Sequence, residues 1–282
     1  GRNYIVYGND EIWITELNEN LTAPKKDGLH RLLISDHRNP KLGYEGSHIY
    51  KIDGYYYIFL IHSMRDRWMR TEACFYSDSL EGEFTGADVL CDDRGYCGQG
   101  VAQGGIVDTP DGKWYAVLFQ DFGAVGRIPV LIPVTWTDHF PVFGQNGHVP
   151  EEIEVCSTRP DYTYQPLVGS DDFHNGLLPR WQFNHDPDPL YYCLDPLQGT
   201  YTITTREVCT ELTQAVNTIT QRMSYPSCAA EVTVDASELK EGDIAGLCAL
   251  QGCYAAVGIT KRQGKYEVLM LDKREDGILN VT

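Results

Sequence analysis

The 282-residue sequence predicts an all-β protein, in which part of a β-propeller is followed by a β-sandwich. Three observations carry this reading. Tyrosine is abundant (18 residues, beside 9 Phe and 5 Trp), whereas runs of the helix formers Ala, Leu, Glu and Lys are scarce. A segment of the form Gly-x-x-Tyr followed by an apolar run occurs three times. The last third of the chain alternates or runs apolar between turn dipeptides.

The repeat sets the first region. Gly1-Arg-Asn-Tyr4-Ile-Val-Tyr7, Gly54-Tyr-Tyr-Tyr57-Ile-Phe-Leu60 and Gly112-Lys-Trp-Tyr115-Ala-Val-Leu118 share one register, with glycines 53 and 58 residues apart. Asp53-Gly54 and Asp111-Gly112 are hairpin signals, because such turns need positive φ. A hairpin unit recurring every 50 to 60 residues suits a four-stranded propeller blade. Residues 1–145 hold roughly two and a half units, whereas closed propellers need at least about four blades. Gly1 stands where the second arm of a hairpin begins, so the chain is expected to be a window from a longer protein.

Residues 146–169, rich in Pro, Gly and acids without a clear period, are expected to connect two domains. Residues 170–282 are expected to form the sandwich. Its candidate strands are TYTITTRE, CAAEVTVDA, YAAVGITKR, KYEVLMLDK and GILNVT, with turns at Gln263-Gly264 and Asp276-Gly277. The last strand meets the end of the chain, so this domain is expected to be incomplete.

A composition of 42% hydrophobic and 22% charged residues is that of a soluble globular protein. The net charge of −17 repels phosphate backbones and anionic lipid, which argues against nucleic acid and membrane surfaces as partners. No apolar run approaches the roughly 20 residues of a membrane span. Nine cysteines without CxxC or metal-like spacing point to free thiols and mildly favour a reducing, cytoplasmic compartment.

GQGVAQGG (98–105) resembles a dinucleotide fingerprint only in its glycines. It leads into a hairpin, where a true fingerprint opens a helix, and its glycines are better suited to close approach of a strand to the propeller axis. No HExxH, GxSxG or Walker A pattern occurs, and the eight histidines lack ligand spacing. Glu45 is the more pointed residue. It lies between Tyr44 and Gly46, with His48 close by, where a repeat unit begins and propellers turn side chains toward the channel. A carboxyl packed against aromatic rings has its charged form disfavoured and can act as a general acid. Arg127, in GAVGRIP, offers a fork of donors for sugar hydroxyls or else a structural ion pair.

Together, YEGSHIYKIDGYYYIFL (44–60), YSDSLEGEF (76–84), GGIVDTPDGKWYAVLFQD (104–121) and GAVGRIPVLIPVTW (123–136) resemble family 43 glycoside hydrolases. SDDFHNGLLPRWQFNHDP (170–187) and NTITQR (217–222) resemble the lectin-like, concanavalin-type sandwich that follows the propeller in many β-xylosidase-type members. The resemblance implies a five-bladed propeller and an inverting hydrolase that releases xylose or arabinose from plant poly- or oligosaccharides. It places the general acid at Glu45, and substrate contacts at Arg127 and Gln103. The general base and a second, pKa-modulating Asp lie earlier in the family pattern than residue 1.

Two positions depart from that pattern. Ser47 stands where the family usually has Pro. The resemblance allows a calcium ion at the propeller centre, but Ala102 stands near where many members carry a histidine, so no metal or cofactor is expected. Gly46 is expected to give substrate access to Glu45. The alternative reading is a non-catalytic carbohydrate-binding protein, which binds glycan by aromatic stacking. A structural propeller scaffold for protein partners is a weaker third.

Overall fold

The β-branched and aromatic runs between Asn3 and Phe143 become eleven strands. The computed structural model describes residues 1–224 and 227–282, which fall into two units, Gly1–Thr158 and Arg159–Thr282. In the first unit, β1 (Asn3–Asn9), β2 (Glu11–Leu17) and β3 (His30–Ser35) form one antiparallel sheet. A second contains β4 (Glu45–Ile52), β5 (Tyr55–Ser63), β6 (Arg70–Ser77) and β7 (Thr85–Leu90). A third contains β8 (Ala102–Asp108), β9 (Trp114–Asp121), β10 (Arg127–Thr137) and β11 (Phe140–Phe143). Each sheet is a meander in chain order, as in a propeller blade. Tyr4, Tyr57 and Tyr115 of the repeat fall on β1, β5 and β9. The first sheet therefore corresponds to the second, third and fourth strands of the other two.

The turns follow their residues. Ile52 pairs with Tyr55 across a two-residue loop in which Asp53 (φ 47°) and Gly54 (φ 91°) both take positive φ, the geometry of a type I′ turn. The third repeat differs from expectation. Asp108 pairs with Trp114, so residues 109–113 form a five-residue loop in which only Gly112 (φ 79°) is left-handed. Pro110 has no N–H to give a ladder, and Thr109 Oγ1 closes the loop on the Asp111 carboxylate at 2.6 Å.

The central strands of the middle sheet, β5 and β6, are buried on both faces. Ile58 and Leu60 pack with Ile12, Ile14, Leu33, Ile34, Leu80 and Phe84 in one cluster. Tyr57 and Phe59, alternating with them along β5, pack with Leu90, Ile106, Leu118, Ile132 and Phe143 in the other. Full burial of each such aliphatic or Phe side chain stabilises by about 1.5–3 kcal/mol. Burial pushes the Tyr57 hydroxyl up to about 12, which keeps it a donor to the His139 carbonyl at 2.8 Å.

In the second unit, Gln182–Phe183 (β12) pairs with Ile219–Thr220 (β15), and Tyr192–Asp195 (β13) with Thr200–Ile203 (β14). Strands β16 (Ile244–Gln251), β17 (Cys253–Arg262), β18 (Lys265–Lys273) and β19 (Leu279–Val281) make a four-stranded meander. The turn at Gln263-Gly264 forms as expected, with φ of 51° and 75°. CAAEVTVDA (228–236) is not a strand, despite its alternation. Among the described residues it has no ladder partner, and a lone strand is not stable in water. The sequence reading missed β12, β13 and β15, which are only two to four residues long, and β16, whose Gly and Ala residues weaken its pattern.

In the first sheet, Glu16 is almost wholly enclosed and receives Arg2 Nη2 at 2.7 Å, Lys25 Nζ at 2.6 Å and the Leu29 N–H at 3.3 Å. Hydrogen bonds from Arg2, then Lys25, hold its carboxyl down at about 2. This contribution to stability is present above the unfolded carboxyl range and is lost as pH falls toward 2. Glu16→Gln is therefore expected to lower the thermal unfolding midpoint at pH 7, and the gap to the parent should narrow steadily below about pH 4.5. A gap that stayed constant across that range would place the effect elsewhere than in ionisation.

Candidate active site

The starts of the first and third strands of a blade, and the end of its second, lie at the same edge of the sheet. That edge carries Asn9, Glu45, Arg70, Gln103, Asp121 and Arg127. The pairings show that successive blades place equivalent residues there. Glu45 lies opposite Ile61, and Ala102 opposite Phe119, each at the start of a bulge. Arg70 lies opposite Ser63, and Arg127 opposite Asp121. Arg70 and Arg127 thus occupy one position of the repeat, 57 residues apart.

The bulges shape the edge. Gly46 (φ 63°) and Gln103 (φ 67°) occupy equivalent positions in them, and both are left-handed. For Gln103 this costs about 1–2 kcal/mol of backbone strain. A Cβ on Gly46 would lie 2.5 Å from Gln103 Nε2 and 2.9 Å from its Cγ. Gly46 is therefore small because Gln103 lies against it, and not, as expected from the sequence, to leave an open path for substrate. The glycine-rich stretch plays a similar part at Gly105, where a Cβ would meet the Tyr50 hydroxyl at 2.0 Å.

Glu45 is half-buried, and its Oε2 accepts a hydrogen bond from Asn9 Nδ2 at 2.8 Å. Tyr44 turns into the core, edge-on to Phe75 at 5.3 Å and tilted over His62 at 4.9 Å. The polar neighbour on Glu45 is thus an amide from the preceding blade.

Asp121 joins the two arginines. Its Oδ2 accepts from Arg70 Nη1 at 2.7 Å and its Oδ1 from Arg127 Nε at 3.3 Å. Both guanidinium groups also lie near the Phe119 ring, 4.7 Å and 4.4 Å from its centroid. Their exposures differ sharply, at 3% for the Arg70 side chain and 65% for that of Arg127. Burial lowers the Arg70 pKa, and the Arg127 charge adds to this; Asp121 opposes it most, with smaller opposition from Glu72 and Glu45. Arg70 therefore lies within the electrostatic reach of both predicted site residues. Sequence reading missed Arg70, Asp121 and Asn9. Carrying the 57-residue offset from Arg127 back along the chain would have found Arg70.

Among the described residues no group of three or more His, Cys, Asp or Glu side chains is placed to hold a metal ion. All nine cysteines are unpaired. Among the described residues no helix is long and apolar enough to cross a membrane.

The family model for glycosyl hydrolases family 43 matches residues 1–141. The chain belongs to that family. Residues 170–281 match the beta xylosidase C-terminal concanavalin A-like domain, so the family 43 unit is followed by the expected sandwich type. Similar proteins include a beta-xylosidase of Formosa agariphila, 26% identical over 260 residues, covering 77% of this chain and 44% of that protein. A non-reducing end alpha-L-arabinofuranosidase of Bacteroides ovatus is 24% identical over 260 residues, covering 84% of this chain and 47% of its own length. Among solved structures, a bifunctional GH43-CE protein of Bacteroides eggerthii matches with TM-score 0.82 at 37% identity, over 100% of this chain and 36% of that one. A GH43 glycoside hydrolase engineered to display both endo-xylanase and exo-arabinofuranosidase activity matches with TM-score 0.76 at 27% identity, over 98% of this chain and 53% of its own. The family 43 chain thus spans less than half the length of the curated relatives it matches first. Its fold is all-β, with part of a propeller followed by a concanavalin-like domain.

The Asp121 bridge predicts unequal costs. Asp121→Ala strands the buried Arg70 guanidinium. It should destabilise by about 2–3 kcal/mol, less than the about 3–5 kcal/mol of a fully buried pair because Asp121 is partly open to solvent. Arg127→Ala removes an exposed partner and should cost under about 1 kcal/mol. Denaturant unfolding of the two variants checks this, and equal losses would mean that Asp121 does not anchor Arg70.

Proposed function

We propose that this chain forms part of the catalytic site of an inverting glycoside hydrolase that releases xylose or arabinose from xylo- or arabino-oligosaccharides. The observation that carries this is the clustering, at one edge of adjacent blades, of a half-buried carboxyl, an amide and an exposed guanidinium held in a fixed orientation. A pentose offers these groups one glycosidic oxygen to protonate and several hydroxyls to bind. The match to family 43, and the xylosidase and arabinofuranosidase relatives, support the same substrate class.

In this reading Glu45 is the general acid that protonates the leaving oxygen, with Asn9 fixing one carboxyl oxygen and leaving the other for the substrate. Arg127 presents donors to the sugar from a base set by Asp121 and Phe119. Gln103 lines the wall beside Glu45. Inversion needs a second carboxylate about 6.5–9.5 Å from the acid, with water between them. Asp121 is committed to two arginines and Glu72 is fully enclosed, so neither is assigned that part. The reading places the base outside residues 1–282.

Two substitutions in the full-length protein test these roles. Glu45→Gln should reduce hydrolysis of glycosides with poor leaving groups by about 10²–10⁴-fold, and of activated aryl glycosides far less. Equal losses on both would remove Glu45 as the acid. Arg127→Ala should lower kcat/KM on every substrate alike, by about 1.5–3 kcal/mol. Wild-type kinetics for that variant would make Arg127 structural.

A further inference from the structure

Glu72 has no part in the chemistry above, yet it lies directly beneath it. It is in β6, across the ladder from Ile61, which in turn pairs with Glu45. Its residue is wholly buried. Oε2 accepts the Gln103 backbone N–H at 2.7 Å, whereas Oε1 has no hydrogen-bond partner among the described residues. A buried carboxylate is tolerable only with full pairing, and this one has a single neutral donor. The nearest guanidinium, Arg70, is spent on Asp121. Burial pushes the Glu72 carboxyl up to about 8, opposed first by the Gln103 N–H and then by Arg70. The acid is accordingly neutral at physiological pH.

The donor is not an ordinary one. Gln103 is the left-handed residue of the β8 bulge, and its side chain lies against Gly46. Holding a non-glycine residue in that conformation requires a partner that outweighs the strain. We propose that Glu72 is a positioning residue for the sugar pocket, holding the Gln103 amide in the bulge so that the Gln103 side chain closes over Gly46 beside Glu45. This rests on the reading that Glu45 and Gln103 face the substrate.

A pH dependence follows. The folded chain keeps a proton that the unfolded chain gives up in the ordinary carboxylate range. The associated stability is complete below that range and is lost as pH rises through about 8. The groups that sense the Glu72 charge are Arg70 and Cys74 on its own strand and Tyr50 from β4, with the Gln103 amide from β8. Ionisation near pH 8 leaves a buried charge with one open oxygen, and the bulge should loosen.

The test uses the full-length protein, with Glu72→Leu, Glu72→Gln and Gln103→Ala. Hydrogen exchange of the peptide covering residues 101–107 reads the bulge without reference to catalysis, and kcat/KM on an aryl xyloside or arabinofuranoside reads the pocket. Glu72→Leu should speed exchange there by about tenfold and lower kcat/KM by about 10- to 100-fold. Glu72→Gln, which keeps an acceptor oxygen, should restore most of both. In the unsubstituted protein, exchange corrected for intrinsic rate should rise as pH approaches about 8 and level off above it, and in Glu72→Gln it should stay flat. Unchanged exchange in Glu72→Leu, or in the unsubstituted protein between pH 6 and 9 should Glu72→Leu not fold, overturns the proposal. So does faster exchange with unaltered kinetics, where Gln103→Ala itself impairs them. Wild-type kinetics for Gln103→Ala would instead remove Gln103 from the pocket. That outcome defeats the functional reading, and with it the pocket role of Glu72, while the exchange result separately shows whether the hydrogen bond holds the bulge.

Discussion

The central strands β5 and β6 of the β4–β7 sheet have no free face, and the rest of the first unit depends on this constraint. Along β5, Tyr57 and Phe59 enter one hydrophobic cluster, and Ile58 and Leu60 enter the other. Strict alternation therefore buries every residue from Tyr57 to Ser63. Because packing on both sides fixes this sheet, the edge at which its strands begin and end is fixed too. Glu45, Arg70 and Glu72 are carried on that edge. Their neighbours from the flanking sheets, Asn9 on one side and Gln103 and Asp121 on the other, meet them across the same packed interfaces.

One repeat position shows how context divides labour. Arg70 and Arg127 start equivalent strands, share one carboxylate and lie near one aromatic ring. Arg70 is closed in by the following sheet, where its second amino group reaches the Ala102 carbonyl at 3.5 Å. Arg127 remains mostly open. A buried guanidinium with a carboxylate and a carbonyl is an anchor, whereas an exposed one on the same carboxylate is a presented donor set. The duplication thus yields one buried and one exposed guanidinium from the same residue type. Glu72 extends this logic, since a neutral acid can accept an amide N–H in a dry interior without the cost of burying a charge.

Much of this was legible beforehand. The Gly-x-x-Tyr repeat located β1, β5 and β9, and the Asp53-Gly54 turn formed with both residues left-handed. Glu45, Gln103 and Arg127 do lie at one edge of neighbouring blades. Three readings needed correction, each for a physical reason. Asp111-Gly112 became part of a five-residue loop because Pro110 cannot join the ladder. CAAEVTVDA alternates correctly, but alternation makes a strand only where a partner exists. Gly46 was read as room for substrate, and its space is taken by Gln103.

The sequence by itself determined the all-β character, the blade repeat and the candidate acid, because these rest on local properties: turn chemistry, side-chain alternation and a motif of adjacent residues. Tertiary structure alone decided which charges meet. Glu72 and Gln103 are 31 residues apart, and Arg70 and Asp121 are 51. Nothing in either local stretch marks one as the partner of the other. A hydrogen bond or ion pair depends on distances of a few ångströms and on the loss of water around them. Both are set by how the blades pack, so Glu72, unremarkable in its own stretch, ends up wholly buried with one hydrogen-bond donor.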